Sequence, residues 1–173
     1  MKKNVVLTGL LAAMVFFTTA YLLHIPIVGG GYIHLGDTVL YMAAALLSTP
    51  YAMAVGMIGG GLADILTGAA VWAPSTIVIK AVMVLAFTSE KERFLCRRNL
   101  LAPLSAGVVG VAGYYIAEIV LLCLSGTPLG VAAGAALVAV PFNVGQEVAA
   151  GIAFVLLAAA MDRLGIKQRL NRI

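Results

Sequence analysis

The amino-acid sequence predicts an all-α membrane protein in which six transmembrane helices form a single bundle, with both termini in the cytoplasm. The first observation behind this prediction is composition: 62% of the residues are hydrophobic and 10% are charged, against roughly 25% charged in an average soluble domain. The second is a mean hydropathy of +1.07 over 173 residues, a length that allows about six spans of ~20 residues. The third is the placement of lysine and arginine along the chain.

The apolar residues fall into six segments, and we expect one domain over residues 1–173. The predicted spans are at about 4–23, 37–47, 51–66, 74–88, 101–124 and 141–161. The first segment follows two lysines as in a signal peptide, but its length and the five apolar segments after it favour an uncleaved span.

The connecting segments differ in character. Residues 24–36 carry a proline and three consecutive glycines, which predicts a loop rather than a helix. Residues 129–140 are apolar and rich in alanine and glycine, and a short helix, a re-entrant piece and a loop all remain open there. The basic tail, 162–173, is expected to lie on the membrane surface.

Ten of the eleven lysines and arginines lie on one side of a six-span arrangement, and the eleventh is Lys80, inside the fourth span. The loops on the other side, 24–36, 67–73 and 125–140, carry none. Cytoplasmic loops are enriched in these residues. The pattern therefore predicts a multi-pass protein of the plasma membrane with an even number of spans.

Polar side chains cluster at one depth, in the outer half of the predicted bilayer. They are Asp37, Asp64, Lys80, Glu118, Asn143, Gln146 and Glu147. Ionisable residues are costly at lipid depth and mark functional sites by default. Independent structural pairs would scatter in depth, so the clustering predicts a common polar cavity open to the outside.

A structural interpretation of the same residues is also open. Asp64 and Lys80 are consistent with a salt bridge between two helices, and the amides of span six with interhelical hydrogen bonds. Trp72, Tyr32 and Tyr41 fit an interfacial aromatic belt. Four acids face one lysine in the set, so either some carboxyls are protonated or the ligand brings amine donors or positive charge.

Small residues predict close helix contacts. Gly9 and Ala13 are four apart in the first span, a spacing that lets helix backbones approach closely in lipid. In span three, Ala52, Gly56 and Gly60 leave one face nearly bare, and Asp64 ends it. Two cysteines at opposite ends of span five are too far apart for a disulfide.

The sequence lacks the motifs that are typical of several function classes. The sequence contains no G-x-x-x-x-G-K-[ST] nucleotide-binding loop. It also contains neither H-E-x-x-H nor G-x-S-x-G. We find no internal repeat of the kind that builds many secondary transporters.

Four short motifs, taken in order, carry a resemblance to a known family. They are YIHLGD at 32–37, GGGLADILTG at 59–68, Trp72-Ala73-Pro74 with Lys80, and Pro141-Phe142-Asn143 with Gln146. Together they resemble the substrate-binding S components of energy-coupling factor (ECF) transporters. The resemblance implies a non-enzymatic membrane protein that captures a vitamin or related heterocycle at the outer face, riboflavin-like or hydroxymethylpyrimidine-like.

The resemblance also implies partners and a site. The partners are a transmembrane coupling subunit and two ATPases, with the bilayer as solvent, and Gly9 and Ala13 approximate the family's docking pattern. We expect no cofactor, no resident metal and no nucleic-acid partner. The candidate substrate-binding residues are Tyr32, His34, Asp37, Asp64, Trp72, Lys80, Tyr114, Glu118, Asn143, Gln146 and Glu147, with loop 24–36 as a lid.

Three other classes remain as alternatives. A nickel or cobalt uptake subunit would use His24, His34 and Asp37 as ligands. A small membrane enzyme would use Asp64, Glu118 and Glu147 as acid–base groups. A purely structural protein would use the whole polar set for interhelical pairing.

Overall fold

The protein is predominantly helical. The computed structural model describes residues 2–22, 25–26 and 32–172. The elements in that part of the chain are α1 (Lys2–Ala20), β1 (Ile25–Pro26), β2 (Tyr32–Ile33), α2 (Gly36–Leu46), α3 (Thr49–Leu66), a 3₁₀ turn (Ala70–Trp72), α4 (Ala73–Val84), α5 (Arg97–Leu124), α6 (Leu129–Ala136), α7 (Val140–Arg163) and α8 (Ile166–Arg172).

Among the described residues, three helices, α1, α5 and α7, are long and apolar enough to cross a membrane by length and composition. They overlap the predicted spans 4–23, 101–124 and 141–161 and are consistent with a membrane-embedded helical protein. Helix α2 has 11 residues, about 16 Å, so it is shorter than the ~30 Å hydrocarbon core. The number of spans and the cytoplasmic location of the termini stay predictions.

The loop between α4 and α5 begins earlier than predicted. Span four was expected to reach residue 88, but α4 ends at Val84, and α5 begins at Arg97 rather than at 101. Side chains from elsewhere satisfy the loop backbone. Asp162 accepts hydrogen bonds from the N–H groups of Phe94 and Leu95 at 2.7 and 2.9 Å. At the end of the predicted span, the Thr88 N–H donates to Asn99 Oδ1 at 2.8 Å, which replaces a helical hydrogen bond there.

The two outer connections are short and ordered where the structure describes them. Strands β1 and β2 pair antiparallel, with Ile25 opposite Ile33, so the described residues between α1 and α2 form paired strands rather than a helix, as predicted. The segment left open at 129–140 contains helix α6. The Tyr115 hydroxyl on α5 donates to the Ala133 carbonyl at 3.3 Å and ties α6 to α5.

Glycines set the closest helix crossings. A Cβ on Gly59 of α3 would lie 2.7 Å from the Ala12 carbonyl oxygen of α1. On the neighbouring face, a Cβ on Gly56 would lie 3.0 Å from the Cβ of Lys80 of α4. The face of α3 that the sequence predicts to be bare therefore packs against α4, and the stem of Lys80 passes over it.

An aromatic cluster fills the centre of the bundle. The Tyr41 ring stacks on Phe87 at 4.9 Å between centroids, and both rings contact Phe154 edge to face. All three residues are at most 3% exposed. Tyr41 is therefore not an interfacial belt residue, the interpretation that the sequence suggested for it.

The C-terminal tail departs from its prediction in one residue. Lys167 of α8 is 1% exposed, and its ammonium donates to the Ala45 carbonyl at 2.7 Å and lies 5.6 Å from the Phe94 ring centroid. The carbonyls at a helix C-terminus favour a cation, so the end of α2 compensates the buried charge. Arg163 and Arg169 remain exposed.

Candidate functional site

An ion pair lies at the centre of the candidate site. Lys80 Nζ donates to Asp37 Oδ1 at 2.6 Å. Asp37 is the second residue of α2, and Lys80 lies about 10 Å into α4, at 1.5 Å per residue. The two side chains are 1% and 3% exposed. The ion pair described for Lys80 is thus with Asp37, whereas the sequence singled out Asp64 as a partner.

Gln146 of α7 extends this pair to the outer hairpin. Its amide nitrogen donates to Asp37 Oδ2 at 3.2 Å, and its amide oxygen accepts from the His34 backbone N–H at 3.0 Å. His34 Nδ1 in turn accepts from the Gly36 N–H at 3.0 Å. The side chain of one glutamine therefore connects α2, α7 and the end of β2.

A second buried contact lies one helical turn below Asp37. The Tyr41 hydroxyl donates to Glu147 Oε2 at 2.5 Å, and a Cβ on Gly110 of α5 would collide with Glu147 Oε1. The glutamate thus lies between α2 and the small residues of α5. Tyr41 was not among the binding residues predicted from the sequence, although it lies four residues after Asp37 and hence on the same helix face.

An aromatic pair borders the lysine on the other side. The Lys80 ammonium is 5.3 Å from the centroid of the Tyr114 ring, and Trp72 is 6.3 Å from that ring, tilted by 56°. The Tyr114 and Thr76 hydroxyls are hydrogen-bonded at 3.2 Å. The sequence-based selection of site residues did not include Thr76, although it lies four residues before Lys80 and hence on the same helix face.

The remaining candidates lie on α3, α5, α7 and β2. Asp64 is buried near the end of α3, where it interacts electrostatically with Tyr114. Glu118 is buried one turn after Tyr114 on α5. Asn143 is partly exposed one turn before Glu147 on α7. Strand β2 includes Tyr32, but its side chain is outside what the structure describes, as are residues 24 and 27–31 of the proposed lid.

The network is closed: Asp37, Lys80, Gln146 and Glu147 are between 1% and 6% exposed, and they bond to protein groups. A cavity of about 860 Å³ lies elsewhere, in a groove between α5 and α7, and Glu147 is the one network residue that reaches it. The polar cavity predicted from the sequence stays a prediction.

Two other predicted features have defined positions. Gly9 and Ala13 are exposed on α1, on the side away from Thr8, Ala12 and Val15, which are buried. Among the described residues, no group of three or more His, Cys, Asp and Glu side chains is arranged to hold a metal ion. His24, the first ligand of the metal alternative, lies outside those residues.

Comparisons with known proteins give one family model and one similar fold. A family model described as "ECF-type riboflavin transporter, S component" matches residues 1–163. A solved structure described as "Structure and mechanism of the S component of a bacterial ECF transporter" superposes with a TM-score of 0.70. The match covers 94% of this chain and 97% of that one at 17% identity, so it supports the fold. No curated protein matches the sequence.

Proposed function

Because the chain belongs to the S components of ECF transporters, in the family described as the ECF-type riboflavin transporter, we propose that it captures riboflavin at the outer face of the plasma membrane. S components pair with a coupling subunit and two ATPases, and we propose the same assembly here. We further propose six spans with both termini in the cytoplasm, because ten of the eleven lysines and arginines then lie inside.

The observation that supports this function is the buried network under the outer hairpin. Asp37, Lys80 and Gln146 come from three different helices and meet within hydrogen-bonding distance. A ligand bound above them would rest on a rigid polar floor. Ligand pockets commonly combine apolar walls with a few such fixed polar groups.

The charge balance of this floor favours a neutral ligand. Lys80 is paired with Asp37, and Glu147 accepts from Tyr41. The sequence-based argument for an amine-bearing pyrimidine counted four acids against one lysine. Two of those acids have donors inside the protein, so that argument is weakened, and riboflavin, which is uncharged, fits the balance better than a ligand chosen for its amines.

We propose that residues beside this floor hold the two parts of riboflavin. In the proposed complex the isoalloxazine ring stacks against Trp72 and Tyr114, whose rings are 6.3 Å apart. Asn143 and Glu118 lie one turn farther out on their helices and would hydrogen-bond the ribityl hydroxyls. The hairpin that ends at His34 would cover the ligand.

Flavin fluorescence provides the test. Riboflavin titrated into the purified chain is expected to lose fluorescence as its ring stacks on aromatic side chains. Asn143→Ala and Glu118→Gln are each expected to raise Kd about fivefold, the equivalent of ~1 kcal/mol for one hydrogen bond. Neither substitution touches the Asp37–Lys80 pair, whereas Lys80→Ala would also leave a buried aspartate uncompensated.

Ser125→Ala is the matched control, since Ser125 is exposed in the outer turn after α5 and should leave Kd unchanged. Riboflavin that fails to bind, or that is displaced equally well by hydroxymethylpyrimidine, would refute the proposed ligand. Unchanged Kd values in both variants would place the ligand elsewhere. A riboflavin-requiring strain supplied with the chain and its partner subunits then tests uptake.

A further inference from the structure

The groove between α5 and α7 shares Glu147 with the buried network, but none of the residues proposed to contact riboflavin lines it. Its volume is about 860 Å³, and its walls are almost entirely aliphatic. On α5 it runs from Leu100 to Tyr115, about 22 Å at 1.5 Å per residue. This length is most of the ~30 Å hydrocarbon core, so the groove is long enough for an extended alkyl chain.

Small residues and inward-turned polar groups form the groove. Where α5 and α7 meet, a Cβ on Gly107 would lie 3.3 Å from the Glu147 Cβ, and one on Gly151 would lie 3.1 Å from the Pro103 Cβ. Glu147 is the charged residue of the lining, but its Oε2 accepts from Tyr41 behind the groove. The surface that faces outward is therefore apolar along its length.

The two walls lead to arginines at the same end. Arg97 precedes Leu100 by three residues and Leu104 by seven, so it continues the lining stripe of α5. Arg163 follows Leu156 by seven residues and continues the stripe of α7. The helices are antiparallel here, since Pro103 meets Gly151 while Gly107 meets Glu147. Both arginines are exposed.

The neighbouring charges leave this end positive. Asp162 also lies near it, but its two carboxylate oxygens accept from the N–H groups of Phe94 and Leu95. Arg98 donates to the Ala86 and Leu85 carbonyls and is engaged with the end of α4. Arg97 and Arg163 are thus exposed cations that continue the two groove walls beyond the lining residues.

We propose that the α5–α7 groove is a binding site for an anionic phospholipid, with an acyl chain along the groove and the phosphate between Arg97 and Arg163. Basic pockets between transmembrane helices on the cytoplasmic side bind anionic headgroups. The arginines lie on the side predicted to be cytoplasmic, where anionic lipids attract them. The apolar walls select a chain, and the paired cations select the headgroup.

Native mass spectrometry of the full chain tests the site directly. The protein is equilibrated with equal amounts of phosphatidylglycerol and phosphatidylcholine of identical acyl chains, and retained lipids are counted. Wild-type protein is expected to retain phosphatidylglycerol preferentially. Arg97→Ala/Arg163→Ala should reduce that preference roughly 20- to 30-fold, at about fivefold for each arginine near the surface.

Two pairs of variants separate the site from general effects. Lys91→Ala/Arg169→Ala removes the same charge from exposed positions off the groove and should keep the preference. Val108→Trp fills the groove and should reduce retention of both lipids, whereas Ile116→Trp, at an exposed position of α5 outside the lining, should not.

Equal loss of preference in both double variants would mean a diffuse positive surface and would overturn the proposal. Retention of both lipids by Val108→Trp would overturn the acyl-chain placement. If Val108→Trp instead impaired only assembly with the coupling subunit, the groove would be a protein-docking face. Riboflavin binding is measured in parallel and should be unchanged in all four variants, which confirms that they are folded.

Discussion

Removing one partner of the Asp37–Lys80 pair is expected to destabilise the protein far more than removing both. The two charges are 2.6 Å apart and at most 3% exposed. At an effective dielectric constant of about 20, their attraction is about 6 kcal/mol, which offsets the cost of taking both ions out of water. Asp37→Asn or Lys80→Met alone should therefore lower the free energy of unfolding by about 3–5 kcal/mol.

The double variant Asp37→Asn/Lys80→Met should return to within about 1 kcal/mol of wild type, because no buried charge is left uncompensated. The free energy of unfolding is measured by titration with sodium dodecyl sulfate in mixed micelles. Glu90→Gln, in the exposed loop after α4, is the control and should unfold like wild type. Single variants that lose under about 1 kcal/mol, or a double variant that loses the sum, would refute the reasoning.

Three further predictions concern the second contact, the tail and the docking face. Tyr41→Phe removes the donor to Glu147 and should cost about 1–3 kcal/mol in the same assay, and exposed Tyr21→Phe should cost nothing measurable. Burial holds the pKa of Lys167 below its usual 10.5, although Cys96 and Asp162 oppose the shift. The unfolded chain then binds the Lys167 proton more tightly than the folded protein does. The stability of wild type relative to Lys167→Met should therefore rise with pH between the lowered pKa of the folded state and 10.5. A stability difference that stays flat or falls with pH would contradict this. Gly9→Leu fills an open face of α1 and should abolish co-purification with the coupling subunit, while riboflavin still binds. Met14→Trp, on another side of α1, should leave co-purification intact. Co-purification that survives Gly9→Leu would place docking elsewhere.

Sequence reasoning was strongest where one local pattern sufficed. Long apolar segments identified α1, α5 and α7, and polar residues at lipid depth pointed to Asp37, Lys80 and Gln146, which do meet. Hydropathy and motif order also led to the family that the comparisons support. Whether these residues bind the substrate stays a prediction.

Features that depend on tertiary placement were not readable from the sequence. Asp37 lies near the start of α2 and Asp64 near the end of α3. Only the relative depth and rotation of α2, α3 and α4 decide which of the two carboxylates pairs with Lys80. The end of the loop after α4 is held by Asp162, which accepts from the N–H groups of Phe94 and Leu95, almost seventy residues before it. Tyr41 lies four residues after Asp37, and Thr76 lies four residues before Lys80, so each shares a helix face with a charged residue. Both side chains are uncharged, and a search for ionisable residues therefore did not select them.

The buried Lys167 has a practical consequence for experiments on this transporter subunit. A deletion that stops at Arg163 would remove the ammonium that bonds to the Ala45 carbonyl and would open the space beside Phe94 to solvent. A fluorescent protein or affinity tag fused directly to α8 would pull on the same contact. Tags are therefore better joined to α8 through a flexible spacer, so that α8 keeps its contact with the end of α2.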